Sequence, residues 1–367
     1  MAKPLDEWAA EQATENPDVT RLLRELEKVR SERNTARSAH RQAEREVEQL
    51  QADVERLTAL DQVSVETAKW AKPKKRASKN EATALIMLSD LHLDEVIDPA
   101  EVAGMNAYNR EIALQRLQRA ARGAIRLGKE LLAGFDIRNV VVVHGGDLVH
   151  GALHDNEQWN DSPSVIATVD YWADHMAQFL ETVSQGFGTG NENASVHVVS
   201  VVGNHGRNTN KPRTRGRVQD SFDHHLTRLV QRHYRDDPRF TWNVPMSADA
   251  YVNVYDTRIL VTHGDQARGG SGISGLFTPV ALLDSRKRKR DASFGRSYDH
   301  LLMGHWHQYI RGNGFTINGS LCGVNAYAYI NNFGYEPPAQ AFGIITPEHG
   351  MTIEAPIYCS DRKAEGW

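Results

Sequence analysis

Hydrophobic positions follow a seven-residue repeat in the first part of the chain. Between Val19 and Leu57, apolar residues occur in two series three positions apart, with Glu, Arg, Lys and Gln between them. This pattern predicts a coiled-coil helix within residues 1–62, because a stripe only two positions wide is buried only against another helix. In the C-terminal half of the repeat, valine in the first series and leucine in the second favour two parallel strands, and Arg33 and His40 are polar interruptions. We therefore expect a homo-oligomer through residues 19–57, with a dimer favoured. The alternatives are a solvated single helix and a helix that folds back on the rest of the chain.

A different pattern begins near Ala82. Short apolar runs such as 140–143 alternate with segments of helical spacing such as 164–183, which is typical of the α/β class. Later runs have shorter connections and predict a more antiparallel half. We therefore assign residues 83–367 to one α/β domain and residues 63–82 to a basic linker, which is either a mobile tether or a nucleic-acid contact.

Composition limits the classes of function. The net charge of −4 gives no global reason to expect a polyanionic partner, so any basic surface must be local. We see no apolar leader and no apolar run of membrane-spanning length, and we expect a cytoplasmic protein with no membrane partner. Cys322 and Cys359 form no Cys-x-x-Cys pair, which excludes a zinc–thiolate site and predicts two buried thiols in a reducing compartment.

Candidate chemistry lies where the strand-like runs end. Asp90 and His92 follow the first run, and alternate residues of a strand point to the same side, so both side chains are delivered to one point. A carboxylate oxygen and an imidazole nitrogen together suit Mn, Fe or Zn better than Mg or Ca. Four later runs end in the same residue types beside glycine: Gly146-Asp147, Gly203-Asn204-His205, Thr262-His263-Gly264 and Gly304-His305-Trp306-His307.

Taken in order, these motifs resemble those of the calcineurin-like metallophosphoesterases, D-x-H, G-D, G-N-H, H and G-H-x-H. The resemblance implies a four-layer α/β sandwich, in which two mixed β-sheets are flanked by helices, with a site for two divalent metal ions at the strand ends. Mn is the first candidate, with Fe, Zn, Ni and Mg as alternatives, and the pair of ions would activate a hydroxide. The implied ligands are Asp90, His92 and His307 on one metal, Asn204, His263 and His305 on the other, and Asp147 bridging both.

Catalytic roles follow from the same resemblance. His205 would face the substrate and stabilise the pentacoordinate phosphorus or protonate the leaving alkoxide. His150, three residues after Asp147, resembles the DNA repair nuclease branch, typified by the nuclease subunit of the bacterial SbcCD complex and by phage-type relatives. It would position the scissile phosphate together with His205. Arg207 could contact a non-bridging oxygen, or it could be an ordinary surface arginine.

One position departs from the family pattern. Gly206 follows the Gly-Asn-His motif, where the family more often has Asp or Glu. Another acid, such as Asp155, would then have to orient His205.

Two basic stretches bear on the substrate. The first follows the Gly-Asn-His motif and includes Arg213 and Arg215, and the second lies between the last two histidine motifs and includes Arg286 and Arg288. Both are expected in loops or helix ends at the rim of the site, where they would bind substrate phosphates. The alternative is that they only increase solubility.

These observations predict a divalent-metal-dependent phosphodiesterase, and more specifically a DNA nuclease. The first alternative is a phosphoesterase for nucleotides, cyclic nucleotides or other small phosphoesters, and the second is a DNA-binding or scaffolding oligomer with structural metals. An aromatic group could stack on bases or form a wall of the fold; it consists of Tyr327, Tyr329, Phe333 and Tyr335.

Overall fold

The computed structural model describes Glu7 and residues 17–61, 80–151, 160–267 and 275–367. The chain divides into two compact units, Met1–Arg76 and Ala77–Trp367. Most of the predicted basic linker, residues 63–79, lies outside the described residues.

The N-terminal unit contains one long helix, α1, which runs without interruption over Pro17–Asp61. At 1.5 Å per residue it is roughly 65 Å long. The predicted seam is open to solvent in the single chain, since Leu22, Leu50 and Val54 are each 58–59% exposed. The predicted long helix is confirmed, and its pairing into a coiled coil stays a prediction.

The C-terminal unit is an α/β structure. Its strands are β1 (Asn80–Leu88), β2 (Phe135–His144), β3 (Ser195–Ser200), β4 (Phe240–Asn243), β5 (Asp249–Val254), β6 (Thr257–Thr262), β7 (His300–Met303), β8 (Ile310–Gly312), β9 (Phe315–Ile317), β10 (Ala339–Thr346) and β11 (Gly350–Tyr358). Its α-helices are α2 (Arg110–Ile125), α3 (Val165–Phe187), α4 (Phe222–His233), α5 (Phe277–Ala292), α6 (Ala326–Ile330) and α7 (Arg362–Glu365). Within the described ranges, no helix combines the length and apolar character that crossing a membrane requires.

Polar side chains fix where the two long helices over the first sheet begin. The Asn109 side chain accepts a hydrogen bond from the Ile112 N–H at the start of α2, at 2.9 Å. Ser164 does the same for the Ala167 N–H at the start of α3, at 3.2 Å. Each cap satisfies one of the N–H groups that a helix start leaves without an intrahelical partner, and such a cap contributes about 1 kcal/mol.

The strands form two mixed sheets. The first has six strands in the order β11-β10-β1-β2-β3-β4, and the second has five in the order β5-β6-β7-β9-β8. Strands β1 to β4 are parallel to one another, as are β6, β7 and β9, whereas β10, β11, β5 and β8 are antiparallel additions. The sequence correctly predicted a parallel part followed by a part with more antiparallel pairing.

Strand β1 shows how the layers stack. Its side chains alternate between two cores: Ile86 and Leu88 pack with residues of α2 and α3, whereas Leu85 and Met87 pack with residues of the second sheet such as Val261. A third core joins the outer face of the second sheet to α5. The order helices, sheet, sheet, helix confirms the predicted four-layer α/β sandwich. A strand buried on both faces is apolar throughout, which explains why β1 reads as a continuous hydrophobic run.

Candidate metal centre

The predicted motifs meet at one edge because the strands that carry them run in parallel and end at the same level. In the first sheet, Leu88 of β1 pairs with His144 of β2, and His144 pairs with Ser200 of β3. In the second sheet, Thr262 of β6 pairs with Met303 of β7. In open α/β sheets, the carboxyl ends of parallel strands are the usual location of ligand sites.

Two glycines allow the motif loops to pack against one another. A Cβ atom on Gly203 would overlap the Asp147 carboxylate, and one on Gly304 would overlap the Asp90 carboxylate. A side chain at either position would therefore displace a predicted ligand.

The backbone at the site is strained. Five predicted ligands adopt positive φ angles: Asp90 (53°), His92 (46°), Asp147 (49°), His305 (72°) and His307 (54°). For a residue with a Cβ atom this conformation costs about 1–2 kcal/mol, and such residues persist only where the surrounding structure holds them. Strained residues cluster at functional sites, and here they coincide with the residues that the motif pattern selected.

One group of donors consists of Asp90, His92 and His307. His92 Nε2 lies 3.2 Å from His307 Nε2, and His307 Nε2 lies 3.4 Å from Asp90 Oδ1. The Asp90 carboxylate is held from behind, because it accepts hydrogen bonds from the His305 N–H at 2.9 and 3.1 Å and from Ser89 Oγ at 2.5 Å. Two imidazole nitrogens and a carboxylate oxygen thus face a common point.

The second group consists of Asp147, Asn204, His263 and His305. His263 Nε2 lies 3.0 Å from Asp147 Oδ2 and 3.2 Å from Asn204 Oδ1. Its other nitrogen, Nδ1, lies 2.9 Å from the Gly145 carbonyl oxygen, so it donates there and directs Nε2 into the site. Ligand atoms of Asp147, His263 and His305 lie within 4.8 Å of one another, as do those of Asp90, His92 and Asp147. Asp147 belongs to both groups and is placed to bridge them.

The charges of these buried groups are strongly coupled. Burial lowers the pKa of His92 well below its usual range, and the neighbouring His205 and His307 lower it further. Burial and the neighbouring His263 lower the pKa of His305 to about 4. Burial also acts to lower the pKa of His263, but the Asp147 carboxylate outweighs it and raises that pKa to about 10. His263 is therefore protonated against Asp147, and the proton occupies the position where a cation would neutralise the carboxylate.

Cys322 is an additional buried group near the first set of donors. A Cys322 ligand atom lies within 4.8 Å of those of His92 and His307. Burial raises the pKa of this thiol well above its usual range, so it stays protonated, whereas only a thiolate binds metal well. Both Cys322 and Cys359 are buried and free, as the sequence predicted.

The two histidines predicted to face the phosphate lie next to the first group. His150 Nδ1 is 3.2 Å from His92 Nδ1, and the ring centroid of His205 is 4.6 Å from that of His92. The His205 N–H donates to Asp147 Oδ1 at 2.7 Å, which ties the backbone of this histidine to the bridging carboxylate. The structure therefore brings together all seven predicted ligands and both predicted histidines.

Glu95 is a residue of the site that the motif analysis missed. Its Oε2 lies 3.6 Å from His92 Nδ1 and 3.7 Å from His150 Nδ1, and its Oε1 accepts a hydrogen bond from Asn325 Nδ2 at 2.9 Å. At these distances the Glu95 carboxylate lies against both imidazoles without a hydrogen bond to either, and it adds negative charge behind the proposed ligands. Its position three residues after His92 was the available signal.

Two other acids behind the ligand loops were also missed. Asp265 forms a two-point ion pair with Arg217, at 2.8 and 2.9 Å, and this pair connects the loop after β6 to the loop after β3. Asp223, at the start of α4, accepts hydrogen bonds from backbone N–H groups near Asp147. Asp265 follows the His263-Gly264 motif directly, whereas no motif marks Asp223. The acid that sequence analysis suggested instead, Asp155, lies outside the described residues.

The first basic stretch forms a loop beside Asn204. Arg207 supports the loop itself, because its guanidinium donates to the carbonyl oxygens of Asn204 and, at 3.0 Å, of Thr209. Arg213 and Arg215 are exposed. Arg207 and Arg213 line a small cleft together with Asn204.

The second basic stretch, which includes Arg286 and Arg288, belongs to a helix, and most of its cations contact acidic residues of the same unit; its place at the rim of the site stays a prediction. It lies in the C-terminal half of α5, and it packs that helix against the second sheet. Lys287 is buried and donates to Asp249 at 2.7 Å, and Arg290 donates to the same carboxylate at 2.6 Å. Arg288 pairs with Asp284 at 2.8 Å and lies over the ring of Tyr298. Arg286 is exposed and lines a cleft with Gln266, Leu282 and Leu283.

The predicted aromatic group is largely exposed, so it does not form a buried wall of the fold. Tyr327 is 60% exposed, Phe333 55% and Tyr335 52%. The segment is anchored near the site, since Asn325 caps α6 and donates to Glu95. The rings of Tyr327 and Phe333 meet edge to face at 5.9 Å.

Comparisons with known proteins give distant likenesses. No family model matches the chain, and no curated protein matches it. The Escherichia coli phosphoesterase Yfce is 15% identical, with 75% of this chain and 99% of that chain covered and a TM-score of 0.28. A dimetal phosphatase from Danio rerio is 12% identical, with 76% and 99% covered and a TM-score of 0.29. Vps29 from Entamoeba histolytica, complexed with Zn²⁺, is 11% identical, with 75% and 99% covered and a TM-score of 0.29. Likenesses at this level carry no argument about function, which must come from the site.

Proposed function

We propose that the C-terminal unit is a divalent-metal-dependent phosphodiesterase of the metallophosphoesterase kind, and that its substrate is DNA. The observation that carries the proposal is the strained left-handed backbone at five of the seven motif residues whose donor atoms converge. Neither a structural histidine cluster nor a scaffold needs that strain, whereas a preorganised metal centre does.

The donor set fits a pair of first-row divalent cations. Asp90, His92 and His307 would hold one, Asn204, His263 and His305 the other, and Asp147 both. Mixed oxygen and nitrogen donors suit Mn, Fe or Zn, and Mn is the first ion to test. When bound, the cations would supply Lewis-acid stabilisation of the phosphoryl oxygens and activation of water.

The histidines beside the ligands would act on the phosphate. The His205 N–H is fixed by Asp147, so its ring has a defined position next to His92 and His150. From there His205 would stabilise the phosphorane-like transition state or give a proton to the leaving alkoxide. His150 would contact the scissile phosphate beside it, with Glu95 behind both His150 and His92.

Support for DNA comes from the loop after β3. Arg213 and Arg215 are exposed on the loop that lines the cleft at Asn204, where they can neutralise backbone phosphates on either side of the scissile one. The exposed aromatic group near Glu95 offers faces for unpaired bases.

A small phosphoester is the second candidate substrate. The ion pairs of α5 favour it, because Lys287, Arg288 and Arg290 contact acidic residues of the same unit. The basic surface left for a polyanion is therefore smaller than the sequence indicates.

A substrate panel tests the proposal. The full-length protein, loaded with Mn²⁺, is assayed on bis-p-nitrophenyl phosphate, single-stranded, duplex and hairpin DNA, RNA and cyclic nucleotides. We expect turnover of the nitrophenyl ester and of at least one DNA, lost in Asp147→Asn and His205→Asn and kept in the exposed control His349→Asn. Turnover of the nitrophenyl ester with no cleavage of any DNA would contradict the nuclease, and no metal-dependent turnover at all would contradict the phosphodiesterase.

We also propose that α1 forms a homodimer through its exposed seam. Light scattering should give twice the chain mass for the full-length protein and the mass of one chain for Leu22→Asp/Leu50→Asp. The control Arg24→Asp changes a position outside the two seam series. A monomeric wild-type protein would contradict the dimer.

A further inference from the structure

Asp223 lies behind the candidate metal centre and contacts two of its loops. Its Oδ1 accepts hydrogen bonds from the N–H groups of Leu148 at 3.0 Å and Val149 at 3.2 Å. Its Oδ2 accepts from the N–H groups of Asp147 and Gly203, both at 2.9 Å. One fully buried carboxylate thus binds four backbone N–H groups on the loops after β2 and β3.

The position of Asp223 coincides with space that a side chain at Gly206 would occupy. A Cβ atom on Gly206 would lie 2.7 Å from Asp223 Oδ1 and 2.9 Å from its Cγ. Gly206 has no positive φ angle, so the backbone there does not require glycine. Asp223 therefore leaves no room for a side chain at this position.

We propose that Asp223 is a positioning residue that clamps the loop of the bridging ligand Asp147 to the loop of the ligand Asn204. The proposal rests on the proposed metal centre only for its consequence, which is metal affinity. The clamp itself is a property of the metal-free fold.

The chemistry of the carboxylate suits this task. Four N–H donors and the N-terminus of α4 offset part of the cost of burying this carboxylate, whose pKa burial and the neighbouring Asp147 raise to about 6. Three of the four hydrogen bonds go to the loop of Asp147 and one goes to Gly203, so one rigid group contacts both loops. Gly203 N and Asp147 N share a single oxygen, so the two loops cannot separate without losing a hydrogen bond to a buried charge.

Asp223→Asn tests the clamp with little change in volume. An amide has one acceptor oxygen, so it can serve Leu148 and Val149 or Asp147 and Gly203, but its NH₂ faces the other pair of donors. In the metal-free protein, we expect faster amide hydrogen exchange at residues 147–149 and 203. With Mn²⁺ added, calorimetry should show an affinity at least about tenfold lower, the usual effect of losing a group that supports metal ligands.

Glu354→Gln is the matched control. Glu354 is another buried carboxylate, which accepts hydrogen bonds from Arg311 at 2.6 Å and from Thr316. Among the described residues, its polar contacts are with β7, β8 and β9 rather than with a ligand loop. We expect it to lower the melting temperature without changing Mn²⁺ affinity or exchange at residues 147–149. Equal losses of affinity in Asp223→Asn and Glu354→Gln, or unchanged affinity and exchange in Asp223→Asn, would overturn the proposal.

A positional swap makes the test independent of how well Asp223→Asn folds. In Asp223→Ala/Gly206→Asp, the new carboxylate extends from a Cβ atom next to the former Asp223 Cγ, and it can reach the same N–H groups. We expect the double variant to recover most of the Mn²⁺ affinity and exchange protection that Asp223→Ala loses. Gly206→Asp alone should be destabilised by the collision of two carboxylates. A double variant that does not fold, or that binds no better than Asp223→Ala, would overturn the proposal.

The experiments distinguish a failure of the Asp223 clamp from a failure of the proposed metal centre. If the wild-type protein binds no Mn²⁺, the proposed function is wrong, and the exchange data on the metal-free variants still decide the clamp. If the wild type binds Mn²⁺ and the exchange at residues 147–149 and 203 is the same in all variants, only the clamp is wrong.

Discussion

Arg213 and Arg215 lie on an exposed loop beside Asn204, whereas Lys287, Arg288 and Arg290 lie on α5 in contact with acidic residues of the same unit. Both stretches are dense in positive charge, but their ion pairs differ: the pair of Arg213 with Asp220 is 3.9 Å long and exposed, whereas the pairs of Lys287, Arg288 and Arg290 are 2.6–2.8 Å long. A cation already paired with a carboxylate offers a substrate phosphate little net attraction, because binding would first have to break the pair. The contacts of the basic side chains therefore show whether a basic stretch stabilises the fold or is available to bind a ligand.

The largest expected effect concerns the buried pair on α5. Asp249→Ala removes the acceptor of Lys287 and Arg290, and leaving a buried ammonium without its carboxylate costs about 3–5 kcal/mol of unfolding free energy. Adding Lys287→Met should regain a large part of the loss, since the charge is removed as well. Urea unfolding measures the unfolding free energies of the single and the double variant. A loss of unfolding free energy below about 1 kcal/mol would mean that the basic residues of α5, like those of the exposed loop, contribute little to stability.

The pH dependence of the same pair gives a second prediction. Burial acts to raise the pKa of Asp249, but Lys287 and the hydrogen bonds from Lys287 and Arg290 outweigh it and hold the pKa below its usual range. A depressed carboxyl pKa stabilises the fold above the unfolded pKa of about 4, and the contribution is lost as the pH falls through the folded value. The stability difference between the wild type and Asp249→Asn should therefore narrow below about pH 4. A constant difference from pH 7 to pH 3 would contradict the ion pair.

The loop should show a moderate effect on DNA and none on stability. We expect Arg213→Ala/Arg215→Ala to lower kcat/KM for DNA about tenfold near physiological salt and to reduce the slope of log affinity against log salt by about 2. Turnover of bis-p-nitrophenyl phosphate and the unfolding free energy should stay unchanged. Equal losses on DNA and on the small ester would mean that these arginines support the site itself.

The smallest effect is expected for Arg288→Ala. Its pair with Asp284 is half exposed, so its removal should cost only about 0.5–1 kcal/mol by urea unfolding. DNA cleavage should be unaffected. A tenfold loss on DNA with unchanged stability would mean that Arg288 binds substrate despite its partner.

Much of the molecule could be predicted from its sequence because the decisive signals are local. The apolar run of β1 and the capping residues Asn109 and Ser164 mark elements through near neighbours, and the motif residues mark strand ends. The sequence did not reveal that residues 286–290 of α5 are largely paired with acidic residues. Long-range partners such as Asp249 determine how those side chains are used, and a charge run does not reveal partners.

The same limit explains the missed acids. Glu95 and Asp265 lie within three residues of a predicted ligand, so proximity was a usable signal. Asp223 is 76 residues from Asp147 in the chain, and only the fold brings its carboxylate to that N–H group. The one hint was an absence, the missing side chain at Gly206.

Substitutions that would stabilise this protein are limited by the positive φ angles at five of the proposed ligands, Asp90, His92, Asp147, His305 and His307. Glycine would relax each of these peptides but remove a donor, and any residue that keeps a donor keeps the distortion. Selection for thermal tolerance alone would thus reward changes that remove the proposed metal ligands, whereas selection for metal binding must find its stabilising substitutions elsewhere in the sandwich.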